Sequence, residues 1–397
     1  MSVSGPAGPR SAVGQASLRR TNLATVLQAV CRSPEPPSRA DLAGRLTITR
    51  ATAARLVDEL VAGGLLDEVD PVVPRRGRPA RLLLPGERIA GLGLLAEADR
   101  VVARVTSLRG DLLAHAERGV DLVALGVSGG LDAVRAVAAE AVAAVPAARL
   151  VGAALAVPGV VADGRTLVRA PNLDWSDVDL VAALGPVAGT GPLLEVGNEA
   201  DLAAAAIVEQ VPGRVGPWPD FLYVSGRRGV GGAVVSRGEV VLGEHGGAGE
   251  IGHVCVDPAG PPCPCGSQGC LERYAALEPL ARAAGVAPAD LPDVAARALA
   301  GEASARRAVD ELAWALSVAL GSVVNVVGIS TVVLGGHLAT LAPLLRQDLQ
   351  DRLAARVLGA RWAPVEVHAA DDSPASPADG AARRVLRHVV ADPGALF

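Results

Sequence analysis

Apolar residues recur at helical spacing in two stretches near the start of the chain and predict helices over residues 18–30 and 50–62. A shorter helix is predicted between them, over 39–46, because Ser38 and a carboxylate three residues later have the spacing of a capping box. Residues 47–49 alone join the second and third helices. Short helices joined by so tight a turn are typical of the helix-turn-helix motif.

Two apolar runs after the third helix, residues 65–69 and 80–84, predict a pair of strands. Residues 75–79 lie between them and read Arg-Arg-Gly-Arg-Pro, which gives the pair a basic tip typical of a wing. Recognition helices and wings contact the bases and phosphates of DNA. The alternative to a DNA-binding domain over 18–85 is a small helical protein-interaction domain. The residues predicted to contact DNA are Thr49, Arg50, Thr52, Arg55, Arg75, Arg76 and Arg78.

Beyond the wing the pattern changes to buried strands followed by helices, and this order repeats after the midpoint of the chain. It favours an α/β body with two lobes. We therefore expect a disordered lead over 1–16, a DNA-binding head over 17–85 and a body over 88–397. The uncharged run 316–336 is long enough to span a membrane, but its Ser, Thr, Asn and Gly residues favour a buried helix followed by a buried strand.

The charge is unevenly distributed along the chain. All 37 basic residues are Arg, and 42 acidic residues give a net charge of −5, which makes no general case for nucleic-acid binding. Residues 17–85, however, hold 11 Arg against 7 acidic residues. A basic head on an acidic body predicts an anionic partner at the head. Five cysteines, four of them clustered, and an N-terminus without an apolar core indicate a reducing, cytoplasmic location.

One His and three Cys fall within eighteen positions of the chain. Nitrogen and thiolate ligands hold zinc tetrahedrally, and a set of one His and three Cys is typical of a closed structural site. Gly266 and Gly269 can let the backbone turn so that the last cysteine reaches the same ion. Buried or disulfide-bonded cysteines are the alternative, which a reducing compartment disfavours. The predicted zinc ligands are His253, Cys263, Cys265 and Cys270.

The same stretch resembles the signature of the ROK family of sugar kinases and sugar-responsive repressors. It reads Glu-Ile-Gly-His from Glu250 and then Cys-x-Cys-Gly-x-x-Gly-Cys-x-Glu, ending at Glu272. The resemblance begins at about residue 17, continues to the C-terminus and includes the Gly-Arg-Pro of the wing. It implies a winged helix-turn-helix head followed by a two-lobed actin-like, ribonuclease-H-like body, with zinc held by the motif's His and three Cys.

The resemblance also implies where a sugar would bind. The residues that match the family's sugar contacts are Asn172, Asn198, Glu199, Glu250, His253 and Glu272. Taken singly, either Asn would more readily be interpreted as a turn former. Glu199 stands where the family's kinases have an Asp base, and it is one methylene longer. Because small misplacements of a base cost much rate, we expect Glu199 to be inactive and predict no catalytic residue.

The phosphate-binding signature of the family's kinases, Asp-x-Gly-x-Thr, is altered. Its three defined positions are occupied by Gly93, Leu95 and Glu97. Leu95 replaces a glycine beside which backbone N–H groups approach phosphate, and the charge of Glu97 would repel a phosphate. Glycine-rich stretches persist at 226–232 and 335–336, where they can serve the fold alone. Efficient phosphoryl transfer is not expected.

The sequence therefore predicts a cytoplasmic, zinc-containing, sugar-responsive DNA-binding regulator, with a repressor as the expected form. Its expected partners are operator DNA, a sugar or sugar-phosphate effector and further copies of itself in a homodimer or homotetramer. No membrane association is expected. One alternative is a glucokinase-like enzyme with an added DNA-binding head, and another is a zinc-stabilised interaction protein that binds no sugar.

Overall fold

The computed structural model describes residues 11–70, 80–187, 189–370 and 377–396. The head consists of three helices and a two-stranded antiparallel sheet. These elements are α1 (Ser11–Cys31), α2 (Arg39–Arg45), α3 (Arg50–Ala62), β1 (Leu66–Val69) and β2 (Leu82–Pro85).

Local sequence signals explain how the head folds. The capping box at Ser38 is confirmed, since the Ser38 side chain accepts from the backbone of Asp41 and the Asp41 carboxylate accepts from the Ser38 N–H. Thr47, in the turn between α2 and α3, has a φ of 54°, a left-handed conformation that β-branched residues rarely adopt. Helix α1 begins at Ser11, so residues 11–16 are helical and the prediction of a disordered lead is wrong for them.

The first lobe has a six-stranded sheet in the order β10-β11-β6-β3-β4-β5. Strands β11, β6 and β3 run parallel, whereas β3, β4 and β5 form an antiparallel meander. A small antiparallel sheet of β7, β8 and β9 is inserted after β6. The elements are β3 (Ile89–Glu97), β4 (Arg100–Ser107), β5 (Leu112–Gly119), α4 (Leu122–Ala143), β6 (Arg149–Val157), β7 (Val160–Ala162), β8 (Thr166–Ala170), β9 (Trp175–Asp179), α5 (Leu180–Leu184), β10 (Pro186–Val187) and β11 (Gly191–Asn198).

The second lobe has a five-stranded sheet in the order β16-β15-β14-β17-β18, with β14, β17 and β18 parallel. Its helices pack around a core of mostly Ala, Val and Leu. The elements are α6 (Glu199–Val208), β12 (Glu209–Val211), β13 (Arg214–Val215), β14 (Phe221–Gly226), β15 (Val230–Ser236), β16 (Glu239–Val240), α7 (Glu272–Ala275), α8 (Leu277–Ala284), α9 (Leu291–Leu299), α10 (Ala303–Val327), β17 (Thr331–Gly336), α11 (His337–Arg356) and β18 (Glu366–Ala369).

A last helix, α12 (Pro377–Ala391), returns to the first lobe. It packs against β3, β6 and α6, and its C-terminal half shares one buried cluster with the head. The glycines of β3 permit this close approach, because a Cβ at Gly93 would overlap the Ala378 carbonyl of α12. The head is therefore packed on the body through α12 and also through the first lobe, since Ile89 of β3 belongs to the same cluster.

Helices α4 and α10 are long and apolar enough to cross a membrane by length and composition alone. Half of the most apolar window of α10 is buried inside the protein, as is a third of that of α4. The run 316–336 forms the second half of α10 and then strand β17. The prediction of a buried helix followed by a buried strand is confirmed for most of this run, but the last turn of α10 is exposed.

Candidate functional site

The predicted cysteines and histidine come together in one cluster beside the cleft between the lobes. The ligand atoms of His253, Cys263, Cys265 and Cys270 all lie within 4.8 Å of one another. His253 Nδ1 is 3.8 Å from Cys263 Sγ, and the Sγ atoms of Cys265 and Cys270 are 3.8 Å apart. Ligands about 2.3 Å from a tetrahedral zinc ion would be about 3.8 Å apart. The cluster is therefore shaped to hold a metal ion.

The loop that carries this cluster depends on glycines at close approaches. Gly269 has a φ of 64°, and a Cβ there would overlap the Asp257 carbonyl. Gly252, in the turn Ile251–His253, lies so close to Val230 that a Cβ would overlap the Val230 carbonyl. Gly266 also has a positive φ, of 97°. The backbone turns predicted at Gly266 and Gly269 are confirmed.

The thiols of the cluster need a positive charge before they can ionise together. Burial raises the pKa of the Cys270 thiol to about 12, with its two neighbouring cysteines adding to the shift, and burial also raises the pKa of the Cys263 thiol. Both sulfurs are thus protonated at neutral pH unless a cation compensates the charge. A bound divalent ion is the usual means of deprotonating such thiols.

All six residues predicted to contact a sugar line one pocket between the lobes. The first lobe contributes Asn172 and Asn198, and the metal loop contributes Glu250 and His253. The Glu272 carboxylate accepts a hydrogen bond from the Val230 N–H at 3.0 Å. Residues that line this pocket are Pro158, Gly159, Pro171, Asn172, Asn198, Glu199, Gly229, Val230, Gly231, Glu250, His253, Pro264, Cys265 and Glu272.

His253 links the metal cluster to this pocket through its two ring nitrogens. Nδ1 faces Cys263, whereas Nε2 is 3.8 Å from a carboxylate oxygen of Glu250. Burial raises the pKa of Glu250, although His253 opposes this shift. A metal on Nδ1 would fix the ring, and through it the position of a polar Nε2 group at the pocket.

Asn198 and Glu199 lie at the N-terminus of α6. The Asn198 side-chain oxygen caps the helix by accepting from Ala200 and Asp201, and its amide donates to the Gly159 carbonyl at 2.9 Å. Its side chain is thus fixed by the fold, as well as exposed to the pocket. Burial and the charge of Glu97 raise the pKa of Glu199 to about 8. Glu199 is therefore mostly protonated at neutral pH, which makes it a hydrogen-bond donor.

The other end of the cleft contains an ion-pair network that joins the two lobes. Glu97, at the end of β3, accepts from Arg227 of the β14–β15 turn at 2.6 Å and also pairs with Arg100 of β4. These residues line a cavity of about 480 Å³. The Glu97 side chain is 11% exposed and the Arg227 side chain 39% exposed. A carboxylate stands where the kinase signature has Thr.

Two ionisable residues, one in the cleft and one buried beside it, were missed by sequence reasoning. In the sequence Arg227 is only part of a glycine-rich turn, and its pairing with Glu97 joins residues 130 positions apart. Asp201 is 6% exposed on α6, and burial, together with the charge of Glu250, raises its pKa to about 7. A second acidic residue, two positions after Glu199 in an Ala-rich helix, was the signal that could have identified Asp201.

The predicted DNA-contacting residues of the head are partly described by the structure. Thr49 caps α3 by accepting from the Thr52 N–H at 3.1 Å, and the two hydroxyls are 2.9 Å apart. Arg50 and Arg55 are exposed on α3, and neither forms an ion pair with any residue that the structure describes. Arg75, Arg76 and Arg78 lie outside the described residues.

Comparisons with known proteins agree with this fold. The xylose repressor of Bacillus subtilis is 23% identical over 348 residues, which cover 86% of this chain and 89% of the repressor. The crystal structure of a ROK family transcriptional regulator, described as a homolog of the E. coli MLC protein, matches with a TM-score of 0.75 at 19% identity. That match covers 94% of this chain and 98% of the regulator.

A ROK family glucokinase from Streptomyces griseus, solved with glucose and AMPPNP, matches with a TM-score of 0.63 at 24% identity. That match covers 74% of this chain and 99% of the glucokinase. At these identities the structural matches establish the fold, which is a winged helix-turn-helix head followed along the chain by an actin-like, two-lobed body. The family model for ROK matches residues 130–388, more than half of the chain, and the chain therefore belongs to the ROK family.

Proposed function

We propose that this protein is a sugar-responsive DNA-binding transcriptional regulator, a repressor of carbohydrate metabolism genes. One observation carries the proposal. The six side chains matching the family's sugar contacts line a single pocket, in a chain that also presents an exposed arginine-bearing helix α3. The alignment with a xylose repressor over 86% of the chain supports the same combination.

The head, over residues 17–85, is the DNA-binding part in this proposal. Arg50 and Arg55 lie on the exposed face of α3, close to its capped N-terminus, where a recognition helix enters the major groove. Arg39 has a different role. It pairs with Glu68 at 2.7 Å and with Asp58, so it holds α2 to the rest of the head. The arginines of the wing, Arg75, Arg76 and Arg78, supply further contacts to phosphates or the minor groove.

The body, over residues 88–397, is the sensor. Zinc bound by His253, Cys263, Cys265 and Cys270 fixes the loop that presents Glu250 and His253 to a sugar or sugar phosphate. The ion is structural in this proposal, because protein atoms fill all four positions of a tetrahedral site. Neutral Glu199 and the amide of Asn172 supply hydrogen-bond donors for sugar hydroxyls.

The charges at the far end of the cleft argue against a kinase. Phosphoryl transfer needs a phosphate cradle with a metal ion and a base that can accept the hydroxyl proton. Glu97 places a carboxylate where the phosphates would lie, and its charge helps to keep Glu199 protonated. Arg227 is already paired with Glu97. The alternative, a sugar kinase with an added head, keeps the support of the glucokinase fold match.

In this proposal, sugar regulates operator binding through the symmetry of the oligomer. Two heads of a homodimer or homotetramer read half-sites about one helical turn apart. A sugar that changes how the lobes pack would change the separation of the heads and weaken operator binding. The site of action is cytoplasmic, where the operator DNA lies.

Binding of the full-length protein to DNA upstream of its own gene tests the proposal, with and without a panel of sugars and sugar phosphates. We expect binding that falls steeply with salt and is released by one sugar. Arg50→Ala should weaken operator binding at least about tenfold, whereas Arg361→Ala, exposed on the body, should not. Equal binding by both variants would contradict the head assignment.

ATP turnover with a panel of hexoses tests the alternative directly. We expect none above background from the purified protein. Appreciable turnover with one hexose would favour the kinase. Absence of both turnover and any sugar-dependent shift in melting temperature would instead favour an interaction protein that binds no sugar.

A further inference from the structure

Two helices connect the sugar pocket to the head. Helix α6 begins at Glu199, which lines the pocket, and runs away from it to Val208. Helix α12 packs along α6. The two backbones are so close that a Cβ at Gly380 of α12 would overlap the Leu202 carbonyl of α6. Packing of this density transmits displacement, since neither helix can move without the other.

Arg383 of α12 fixes the far end of α6. Its guanidinium Nη1 donates to the Ala206 carbonyl at 2.7 Å and to the Glu209 carbonyl at 3.1 Å. Both carbonyls lie at the end of α6, where helix carbonyls lack intrahelical partners. The residue is 6% exposed, so these bonds form in a site sheltered from water. The next residue of α12, Arg384, pairs with Glu195 of β11, the strand that leads into α6, at 3.0 Å.

The C-terminal half of α12 is part of the core of the head. Leu386, Val389 and Val390 are buried in one cluster with Leu27 and Val30 of α1. The Gln28 side chain donates to the Val390 carbonyl at 3.4 Å, and Arg20 pairs with Asp392. On the α6 side, Gly213 lies against both Cys31 of α1 and Val390.

The N-terminal half of α12 lies at the cleft. Asp379 is 4% exposed and pairs with Arg104. Arg104 lines the 480 Å³ cavity together with Pro377, the first residue of α12. A single helix of 15 residues thus has one end at the cleft and the other in the head.

We propose that Arg383 is a positioning residue that couples the sugar pocket to the head, with α6 and α12 moving as one rigid unit. The proposal rests on the sugar-responsive function proposed above. A ligand that shifts the N-terminus of α6 carries α12 with it through the Arg383 bonds, and α12 turns the head relative to the body. Such a shift is a coupling free energy between two sites, and it acts equally in both directions.

The test measures three quantities on the full-length protein: sugar affinity, operator affinity, and the ratio of operator affinities without and with sugar. In Arg383→Met the helix keeps an apolar side chain of similar length but loses both bonds to α6. We expect sugar and operator affinities within about threefold of wild type, and a ratio reduced at least about fivefold. Arg383→Lys retains a hydrogen-bond donor and should restore part of the wild-type ratio of operator affinities.

Arg387→Met is the matched control, because Arg387 lies one turn further along α12 and pairs with the exposed Glu239 on the surface. It should leave the ratio unchanged. An unchanged ratio in Arg383→Met, or an equal loss in Arg387→Met, would overturn the proposal. Absence of any sugar effect in the wild type would overturn the proposed function itself, and the coupling with it.

Hydrogen exchange of the wild-type protein provides a second measurement that needs no variant to fold. Sugar binding should change hydrogen exchange in residues 377–391 and also in α1, which belongs to the head and not to the sugar pocket. A sugar that binds and alters exchange in the metal loop alone, with α12 and α1 unchanged, would contradict a rigid connection.

Discussion

At one end of the interlobe cleft, a loop held by one His and three Cys presents Glu250 and His253 to a narrow pocket. At the other end, Glu97 pairs with Arg100 and Arg227. The family resemblance implies that the kinases bind phosphate at this end. The first end keeps every polar group that the family signature specifies. The second end has replaced a phosphate cradle with an ion pair between the lobes.

Packing shows why the second end could change without loss of the fold. Helix α12 lies directly on β3, and a side chain at Gly93 would overlap the carbonyl of Ala378. The carboxylate that the kinase signature has at this position therefore does not fit here. This strand position instead contacts a helix that also packs against the head. A ligand-binding pocket and a catalytic cleft are thus separable within one fold.

Removing the metal should have the largest effect at the sugar end. Cys265→Ser takes away one ligand, and we expect loss of bound zinc, a fall of several kcal/mol in the free energy of unfolding and loss of the sugar response. Metal analysis and thermal unfolding check these outcomes. Cys255→Ser is the matched control, because Cys255 is exposed and outside the cluster. Full zinc content in Cys265→Ser would contradict the assigned ligands.

A buried acid beside the sugar end should make stability depend on pH. Asp201, whose pKa burial raises from 3.8 to about 7, binds a proton in the folded state at pH values where the unfolded chain has lost it. The free energy of unfolding should therefore fall as pH rises from about 4 to about 7. Asp201→Asn should remove that part of the fall, on the order of a few kcal/mol.

Urea unfolding at pH 5 and pH 8 measures this difference. Asp132→Asn is the control, since its side chain is 71% exposed on α4, and its pH dependence should match that of the wild type. If the free energy of unfolding changed equally between pH 5 and pH 8 in the wild type and in Asp201→Asn, Asp201 would be ionised in the folded protein.

Breaking the ion pair at the other end should have a smaller effect. Arg227→Gln leaves Glu97 with Arg100 as its partner, and we expect a loss of about 1–2 kcal/mol in the free energy of unfolding, because Glu97 is largely buried. Arg228→Gln, at the exposed neighbouring position, should change it by less than about 0.5 kcal/mol. Unfolding by urea compares the two, and equal losses would mean that the pair contributes nothing specific.

Much of this architecture could be predicted from local sequence signals. The bounds of α3 match the predicted 50–62, because strong apolar periodicity and a cap define them locally. The metal cluster was also predictable, since its four ligands lie within one short stretch. The agreement is weaker where a kink intervenes. The apolar pattern predicts a helix only over 131–144, whereas α4 starts at Leu122 and is interrupted at Gly126.

Contacts between distant parts of the chain could not be predicted. The small sheet of β7, β8 and β9 has strands of three to five residues, too short for a periodic signal. The pairing of Glu97 with Arg227 and the placement of α12 against α6 depend on how the two lobes come together. Sequence reasoning therefore located the metal cluster, which is local, and assigned the sugar residues by family resemblance, but it missed the pairing of Glu97 with Arg227.

Restoring one residue of the kinase signature should have the smallest effect of all. Glu97→Thr removes the carboxylate from the phosphate end and, with it, the charge that helps to raise the pKa of Glu199. We nevertheless expect no ATP-dependent sugar phosphorylation in a coupled assay, because Gly93 and Leu95 still provide neither a metal ligand nor an open backbone turn. A gain of turnover in Glu97→Thr would mean that a single charge separates the regulator from an enzyme. Continued absence of turnover, with sugar binding retained, would place the difference in the packing of α12 on β3.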